Sequence, residues 1–307
     1  MEEYELIVEK LMEGNRIDKV VSQWLPEYTR SYLQKLMKKG DVLVNQISIK
    51  PNYVVKDGDQ IQVRIPEATS LDIQAQDITL EILYEDEQVI VVDKPKKMVV
   101  HPAPGHSSGT LVNAIMYHCK GNLSGINGVL RPGIVHRIDQ DTTGSIIVCK
   151  NDNAHKRIAE QLQQHSLKRT YRAIVFGRMK EEQGTIRTLI GRHKTDRKKM
   201  AVVQTGGKEA VTHYRVISRN TQYSYIECEL ETGRTHQIRV HLTSIGHPLV
   251  GDSYYTNRKV PISLQGQTLH AYELGFLHPT TEEFVHVVAP LPIYFKELLL
   301  QLDLIEK

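Results

Sequence analysis

The stretch Gly133-Ile134-Val135-His136-Arg137-Ile138-Asp139-Gln140-Asp141-Thr142-Thr143-Gly144 runs directly into Ser145-Ile146-Ile147-Val148-Cys149. A short β-branched run, a polar turn and a second apolar run read as strand, loop, strand. The expected strands are 134–136 and 146–149, and the loop between them carries Asp139 and Asp141. Rigid flanks of this kind can hold a carboxylate in a cleft. The same two aspartates could instead brace the turn through backbone amides, and Arg137 could be an ordinary surface charge. Spacing alone leaves both readings open.

Working outward, strand-like runs recur at 80–84, 89–93, 171–176, 211–217 and 225–230, and helical spacing at 111–118, 154–165, 235–245 and 293–302. Strands and helices do not alternate strictly, which excludes a doubly wound sheet. The fold class expected is α+β, with a mixed, largely antiparallel sheet. Upstream, residues 16–25 and 30–39 carry apolar side chains at helical spacing, and Gly40 follows as a helix stop. Short strands are expected at 42–44, 53–55 and 61–63, with a turn at Lys56-Asp57-Gly58-Asp59. Residues 1–67 therefore read as a small α/β domain, 68–77 as a linker without sustained period, and 78–307 as a second domain.

The chain has 307 residues, 40% of them apolar and 24% charged, enough for two cores. No run approaches the ~20 apolar residues of a membrane span, and the start lacks a signal-peptide pattern, so a cytoplasmic protein is expected. Cys119, Cys149 and Cys228 are isolated and read as reduced core residues. The net charge of +3 is too small to name a partner by itself. Its distribution says more: between positions 187 and 199, Arg187, Arg192, His193, Lys194, Arg197, Lys198 and Lys199 face one Asp196. Positions 14–65 hold nine Lys or Arg against five Asp or Glu. Both are candidate phosphate-contacting surfaces, although a solvated charged face is the common alternative.

Phosphate-loop, dinucleotide, nucleophile-elbow and zinc-protease motifs are all absent. His136-Arg137-Ile138-Asp139 looks superficially like a kinase loop but lacks that machinery's partners. In Thr232-Gly233-Arg234-Thr235-His236-Gln237-Ile238-Arg239-Val240-His241, Thr235 suits a helix N-cap, and Ile238, Leu242 and Ile245 make a docking stripe. Arg239 lies off that stripe, free to meet a carboxylate with two hydrogen bonds. His236, His241 and His247 lack the companions of a metal site and read as packing or RNA-contacting residues. In Lys168-Arg169-Thr170-Tyr171-Arg172-Ala173, Tyr171 reads first as a half-buried strand aromatic.

Together, in this order, these segments resemble the RluA/RluD family of pseudouridine synthases. Asp93-Lys94-Pro95, His101-Pro102 and the block Gly246 to Asp252 match it as well, and Ile138 stands where leucine is common. The N-terminal domain is similar to an S4 RNA-binding domain through Arg16-Ile17-Asp18, Thr29-Arg30-Ser31, Gly40 to Asn45 and Lys56 to Asp59. The resemblance implies a pseudouridine synthase fold and isomerisation of uridine in RNA, most simply in a stem-loop of large-subunit ribosomal RNA. It implies Asp139 as catalytic carboxylate, Tyr171 as active-site tyrosine and Arg239 as the aspartate's partner. His136 and Arg137 would contact the substrate, and Arg16, Arg30, Lys38, Arg192, Lys194, Arg197 and Lys198 the RNA. No cofactor and no metal are expected, because the reaction neither gains nor loses atoms; a monomer without membrane contact is expected too. The competing readings are a non-catalytic ribosomal RNA-binding or assembly protein and a metal-dependent RNA-cleaving enzyme.

Overall fold

The computed structural model describes residues 2–26, 28, 30–65, 73–103, 105–126, 131–260 and 264–305. Thr29 of the S4-like pattern and residues 68–72 of the expected linker lie outside them. The chain forms two compact units, Met1–Ser70 and Leu71–Lys307.

In the first unit the elements are β1 (Glu2–Ile7), α1 (Ile17–Trp24), α2 (Arg30–Lys39), β2 (Val42–Val44), β3 (Ile47–Ser48) and β4 (Gln60–Ile65). The strands form an antiparallel sheet in the order β1-β4-β2-β3. Ile17, Val20 and Val21 of α1 and Leu33, Leu36 and Met37 of α2 pack with Val42, Val44, Ile61 and Val63 of the sheet. The helical and two-residue periods thus converge on one core. Gly40, at φ 86°, turns the chain out of α2 in a conformation that favours glycine. Of the strand expected at 53–55, only a Val54 bridge to Arg16 is present. The segment is occupied instead by Tyr53, which donates its hydroxyl to the buried Asp59 that braces the 56–59 turn. Strand β1 went unread because its carboxylates mask an alternation that pairs Glu3 with Arg64 and Glu5 with Gln62.

The second unit contains β5 (Glu81–Glu85), β6 (Val89–Lys94), α3 (Leu111–His118), β7 (Thr143–Cys149), α4 (Asp152–Gln163), β8 (Lys168–Phe176), β9 (Gln183–Arg192), β10 (Met200–Val203), β11 (Lys208–Arg219), β12 (Tyr223–Leu230), α5 (Gln237–Ser244), β13 (Leu269–Leu277), β14 (Phe284–Val288) and α6 (Ile293–Gln301). The sheet order is β10-β9-β11-β12-β8-β13-β7-β6-β5, with β14 added on β13. Among the described residues only β13 and β7 pair in parallel, so the mixed, mostly antiparallel sheet read from the sequence is the sheet observed.

Alternation along the strands sends side chains to helices on both faces. In β6 and β7, Ile90, Val92, Ile146 and Val148 pack with α3, whereas Val89, Val91, Ile147 and Cys149 pack with α4. Burial on both faces is why β7 reads as a continuous apolar run. Each such fully buried Val or Ile contributes roughly 1.5–3 kcal/mol. In β8, Tyr171, Ala173 and Val175 face the cluster of α5, while Ile174 and Phe176 meet α6.

Three further expectations are corrected. Residues 134–136 are not a strand, since only Ile134 bridges to Val148. Part of the expected linker belongs to the second unit: Ile73 is buried against α3, and the Asn113 side chain donates to the Gln74 carbonyl. Helix α5 starts at Gln237 with His236, not Thr235, at its N-cap, and Ile245 of the expected stripe is 40% exposed.

Candidate active site

The loop around Asp139 is pinned from both sides. The His136 ring accepts the Ile147 N–H of β7 on Nε2 at 3.1 Å, Ile138 is buried in the core beneath, and Thr142 N–H closes a turn onto the Asp139 carbonyl. On the other side Lys94, fully buried at the end of β6, donates from Nζ to the carbonyls of Gln140, Pro95 and Met98 at 2.8–3.0 Å. Burial pushes the Lys94 ammonium down to about 7, while the Asp141, Asp139 and Asp93 charges pull it up. Three carbonyl acceptors need three N–H donors, which only the ammonium has, so we read it as charged. Where β7 begins, Gly144 at φ 106° lies directly against the Ala271 backbone of β13, leaving no room for a Cβ.

Arg239 reaches the loop from α5. Its Nη1 donates to Asp139 Oδ2 at 2.8 Å, and Nε and Nη2 donate to the two oxygens of Asp252 at 2.7 and 2.8 Å. The guanidinium also lies over the rings of Tyr254 and Tyr255. Burial works against its charge, but the two carboxylates outweigh burial and raise its pKa further. Asp252 is buried, whereas the Asp139 side chain is 18% exposed and opens onto solvent. Tyr171 projects from β8 into the same space; burial, with the Asp139 charge adding, raises its hydroxyl pKa. Arg169, two residues earlier and on the same face, donates to the Glu231 carbonyl.

These groups line a cleft of about 510 Å³, with Arg137, His236 and Arg234 among its polar wall and Ile138, Leu230 and Leu269 among its apolar wall. That size suits one small ligand or one nucleotide. Asp141 is not part of the lining; its carboxyl sits against Gly266, so the two aspartates do not form an acid–base pair across one site.

The structure brings Asp139, Tyr171, Arg239, Arg137 and His136 together. His136 lines the cleft while its Nε2 accepts from β7, and burial, then the Arg169 charge, holds its pKa down to about 3. It braces the loop as a neutral ring and offers RNA no cation. Arg192, Lys194, Arg197 and Lys198 are exposed around the β9–β10 connection, and α5 packs against both of those strands. In the first unit, Lys38 is exposed, and Arg16 and Arg30 both donate to the fully buried Asp18, which also takes Gln34. Burial favours the neutral Asp18, but these hydrogen bonds prevail and keep its pKa low. Both arginines remain about half exposed, aligned by one carboxylate.

Sequence reasoning missed Asp252, Tyr255 and Lys94 as parts of the site and set His236 aside. Asp252 and Lys94 lay in blocks already noted, Gly251-Asp252 and Asp93-Lys94-Pro95, but nothing in one sequence shows that they converge. His241 lies between the Thr188 and Thr212 hydroxyls, and His247 meets the Phe176 carbonyl, so both are packing residues. Among the described residues no cluster of three or more His, Cys, Asp or Glu is arranged to hold a metal, and no helix is long and apolar enough to cross a membrane.

Residues 88–244 match the RNA pseudouridylate synthase family, and residues 15–61 match the S4 domain. The chain is 48% identical over 299 residues to an uncharacterized RNA pseudouridine synthase, YlyB, of Bacillus subtilis, covering 97% of this chain and 98% of that one. It is 45% identical over 303 residues to ribosomal large subunit pseudouridine synthase D of Zymomonas mobilis, covering 94% and 95%. Among solved structures, human RNA pseudouridylate synthase domain containing 1 superposes with a TM-score of 0.57 at 24% identity, over 80% of this chain and 99% of that one, a likeness of fold. The α+β fold is thus that of a family of RNA-modifying isomerases. The chain belongs to the RNA pseudouridylate synthase family and carries an RNA-binding S4 domain.

Proposed function

We propose that this isomerase converts uridine to pseudouridine in a stem-loop of large-subunit ribosomal RNA, with Asp139 as its catalytic carboxylate. The observation that carries the reading is the chain Asp139–Arg239–Asp252: an arginine clamped from behind by a buried aspartate presents its remaining edge to the one carboxylate that opens onto the cleft. The ribosomal RNA target follows the name of the Zymomonas relative and the S4 match.

The reaction breaks the bond from C1′ to N1 of uracil, turns the base and joins C1′ to C5; the C5 proton leaves and N1 gains one. A uridine stacked in a stem-loop cannot reach a carboxylate inside a cleft, so the nucleotide is extruded, at a cost of a few kcal/mol. Asp139, as the anion, attacks the ribose or the base, or accepts a proton, in a site where Arg239 supplies fixed positive charge. Tyr171 packs on the uracil and is placed to move a proton when the C5 hydrogen departs. Arg137, exposed at the rim, occupies the gap left in the RNA stack.

Capture of the RNA belongs to residues 1–67 through Arg16, Arg30 and Lys38, and to Arg192, Lys194, Arg197 and Lys198 in the catalytic part, 78–307. A purely RNA-binding assembly protein would leave the Asp139–Arg239 pair without a task. The test is a pseudouridine map of ribosomal RNA from cells with and without the protein. Sites that vanish and return with the wild type but not with Asp139→Asn support the reading; an unchanged map refutes it.

A further inference from the structure

His236 lines the cleft, 15% exposed, with its backbone at φ 56°. A non-glycine residue held in the left-handed region is strained and persists only where its surroundings over-determine it. What holds this one is Tyr255, whose hydroxyl is 2.8 Å from His236 Nδ1. The Met200 N–H donates to the same hydroxyl oxygen at 2.9 Å. With one lone pair engaged, the tyrosine satisfies its own O–H by donating it to Nδ1. Burial pushes the Tyr255 hydroxyl up to about 12, so it keeps that proton.

A ring that accepts at Nδ1 carries its proton at Nε2 when neutral. Nε2 faces the cleft, 3.9 Å from Asp139 Oδ2, too far for a hydrogen bond. The alternative tautomer would turn a lone pair toward the aspartate anion and leave the Tyr255 proton unplaced. Burial keeps the ring neutral; Asp139 and Asp252 pull toward the cation, Arg239 and Arg137 away from it, and the net pKa shift is downward. Among the described residues no acceptor lies within hydrogen-bond distance of Nε2. The result is a fixed neutral donor aimed into the space beside the catalytic carboxylate.

We propose that His236, oriented by Tyr255, donates its Nε2–H to an exocyclic oxygen of the uracil in the cleft. The inference rests on the isomerase site described above and deepens it: a donor that cannot accept selects a base bearing carbonyl oxygens and positions it against Asp139.

The test is single-turnover isomerisation at saturating RNA by the full chain. The probes are transcripts of a stem-loop identified by the pseudouridine map, carrying uridine, 2-thiouridine or 4-thiouridine at the target, since sulfur is the poorer acceptor. One of the two sulfur substitutions should slow the wild type roughly ten- to a hundredfold. His236→Gly, which suits the left-handed backbone, should slow uridine by a similar factor and abolish the sulfur effect. Tyr255→Phe, which keeps the ring but releases its tautomer, should fall between them. The proposal is overturned if neither sulfur substitution slows the wild type, if His236→Gly turns over at the wild-type rate, or if it slows yet keeps the full sulfur effect. A pH–rate inflection between 5 and 7 that His236→Gly removes would also overturn it, by making the ring a titrating group. Failure of the wild type to make pseudouridine in any transcript would instead remove the underlying site reading.

Discussion

Arg239 gives two of its three guanidinium nitrogens, Nε and Nη2, to Asp252, and only the third, Nη1, to Asp139. The two carboxylates are therefore unequal: Asp252 fixes the arginine, and Asp139 uses it. Asp252→Asn would turn an amide toward the guanidinium and break a buried pair, so a loss of about 3–5 kcal/mol in urea unfolding is expected, together with a large fall in rate. Asp139→Asn leaves the buried Arg239–Asp252 pair intact. Stability should change by less than about 1 kcal/mol and RNA affinity hardly at all, while isomerisation disappears. Turnover by Asp139→Asn near the wild-type rate would falsify the assignment of the carboxylate. Arg239→Ala, which strands Asp252 without a cation, should be both unstable and inactive.

Acid should weaken the second unit from about pH 6.5 downward through four histidines that burial keeps neutral, with Asp93, which burial raises to about 6, taking up a proton in the same range and offsetting part of the loss. Burial holds His136 down to about 3 and His101, His241 and His270 down to about 4, against 6.5 for a free imidazole. At His270 the bonds fit a neutral ring: Nε2–H donates to the Ala289 carbonyl, and Nδ1 lies 2.8 Å from the Thr143 hydroxyl, which can donate to it. Between pH 6.5 and 4 the unfolded chain binds protons that the folded one refuses, so stability falls as pH falls, each such histidine adding a slope of up to about 1.4 kcal/mol per pH unit. Urea midpoints measured from pH 7 to 4.5 should drop steadily, and less steeply in His270→Gln. A flat profile would show that these rings accept protons while folded.

The basic β9–β10 connection should act on binding and not on chemistry. Replacing Arg192, Lys194, Arg197 and Lys198 by alanine removes up to four phosphate contacts, so the log–log salt dependence of RNA affinity should lose a slope of up to about 3–4. The rate at saturating RNA should stay within about twofold, because none of the four lines the cleft. Equal salt slopes for variant and wild type would place the RNA elsewhere.

How much of this was legible in sequence follows from where each signal lies. Strand β7 and the loop before it were readable because a doubly buried strand leaves a continuous apolar run. Strand β13 was not, since His270, Glu273 and Gly275 interrupt its pattern. His270 is satisfied by Thr143 and Ala289, Glu273 by Lys168, and Gly275 leaves room for Phe284. Those partners lie up to 127 residues away, and no local period encodes them. The site divides in the same way. That Asp139, Tyr171 and Arg239 share one cleft follows ordered motifs; the Tyr255 hydroxyl against His236 and the Lys94 ammonium under Gln140 depend on long-range packing alone.

The first unit should be separable from the chemistry. Its own core, built by α1, α2 and the four-stranded sheet, is complete within Met1–Ser70. The second unit holds residues 73–78 against α3 through the buried Ile73 and the Asn113 contacts to Gln74 and Gln76. Deleting residues 1–67 keeps that strip, so the remainder should fold with an unfolding midpoint of its own. With Arg16, Arg30 and Lys38 capturing RNA as proposed, tethering should favour the full-length protein by raising the local concentration of the target. The truncated protein should therefore bind structured ribosomal RNA more weakly and with a shallower salt dependence, since fewer phosphates are contacted. Its single-turnover rate at saturating RNA should match that of the intact chain, because the Asp139–Arg239–Asp252 arrangement is wholly within the second unit. Affinity across a salt series alongside single-turnover isomerisation checks both halves. A truncated protein that binds as tightly as the intact one would show that the S4 domain serves something other than capture of this RNA.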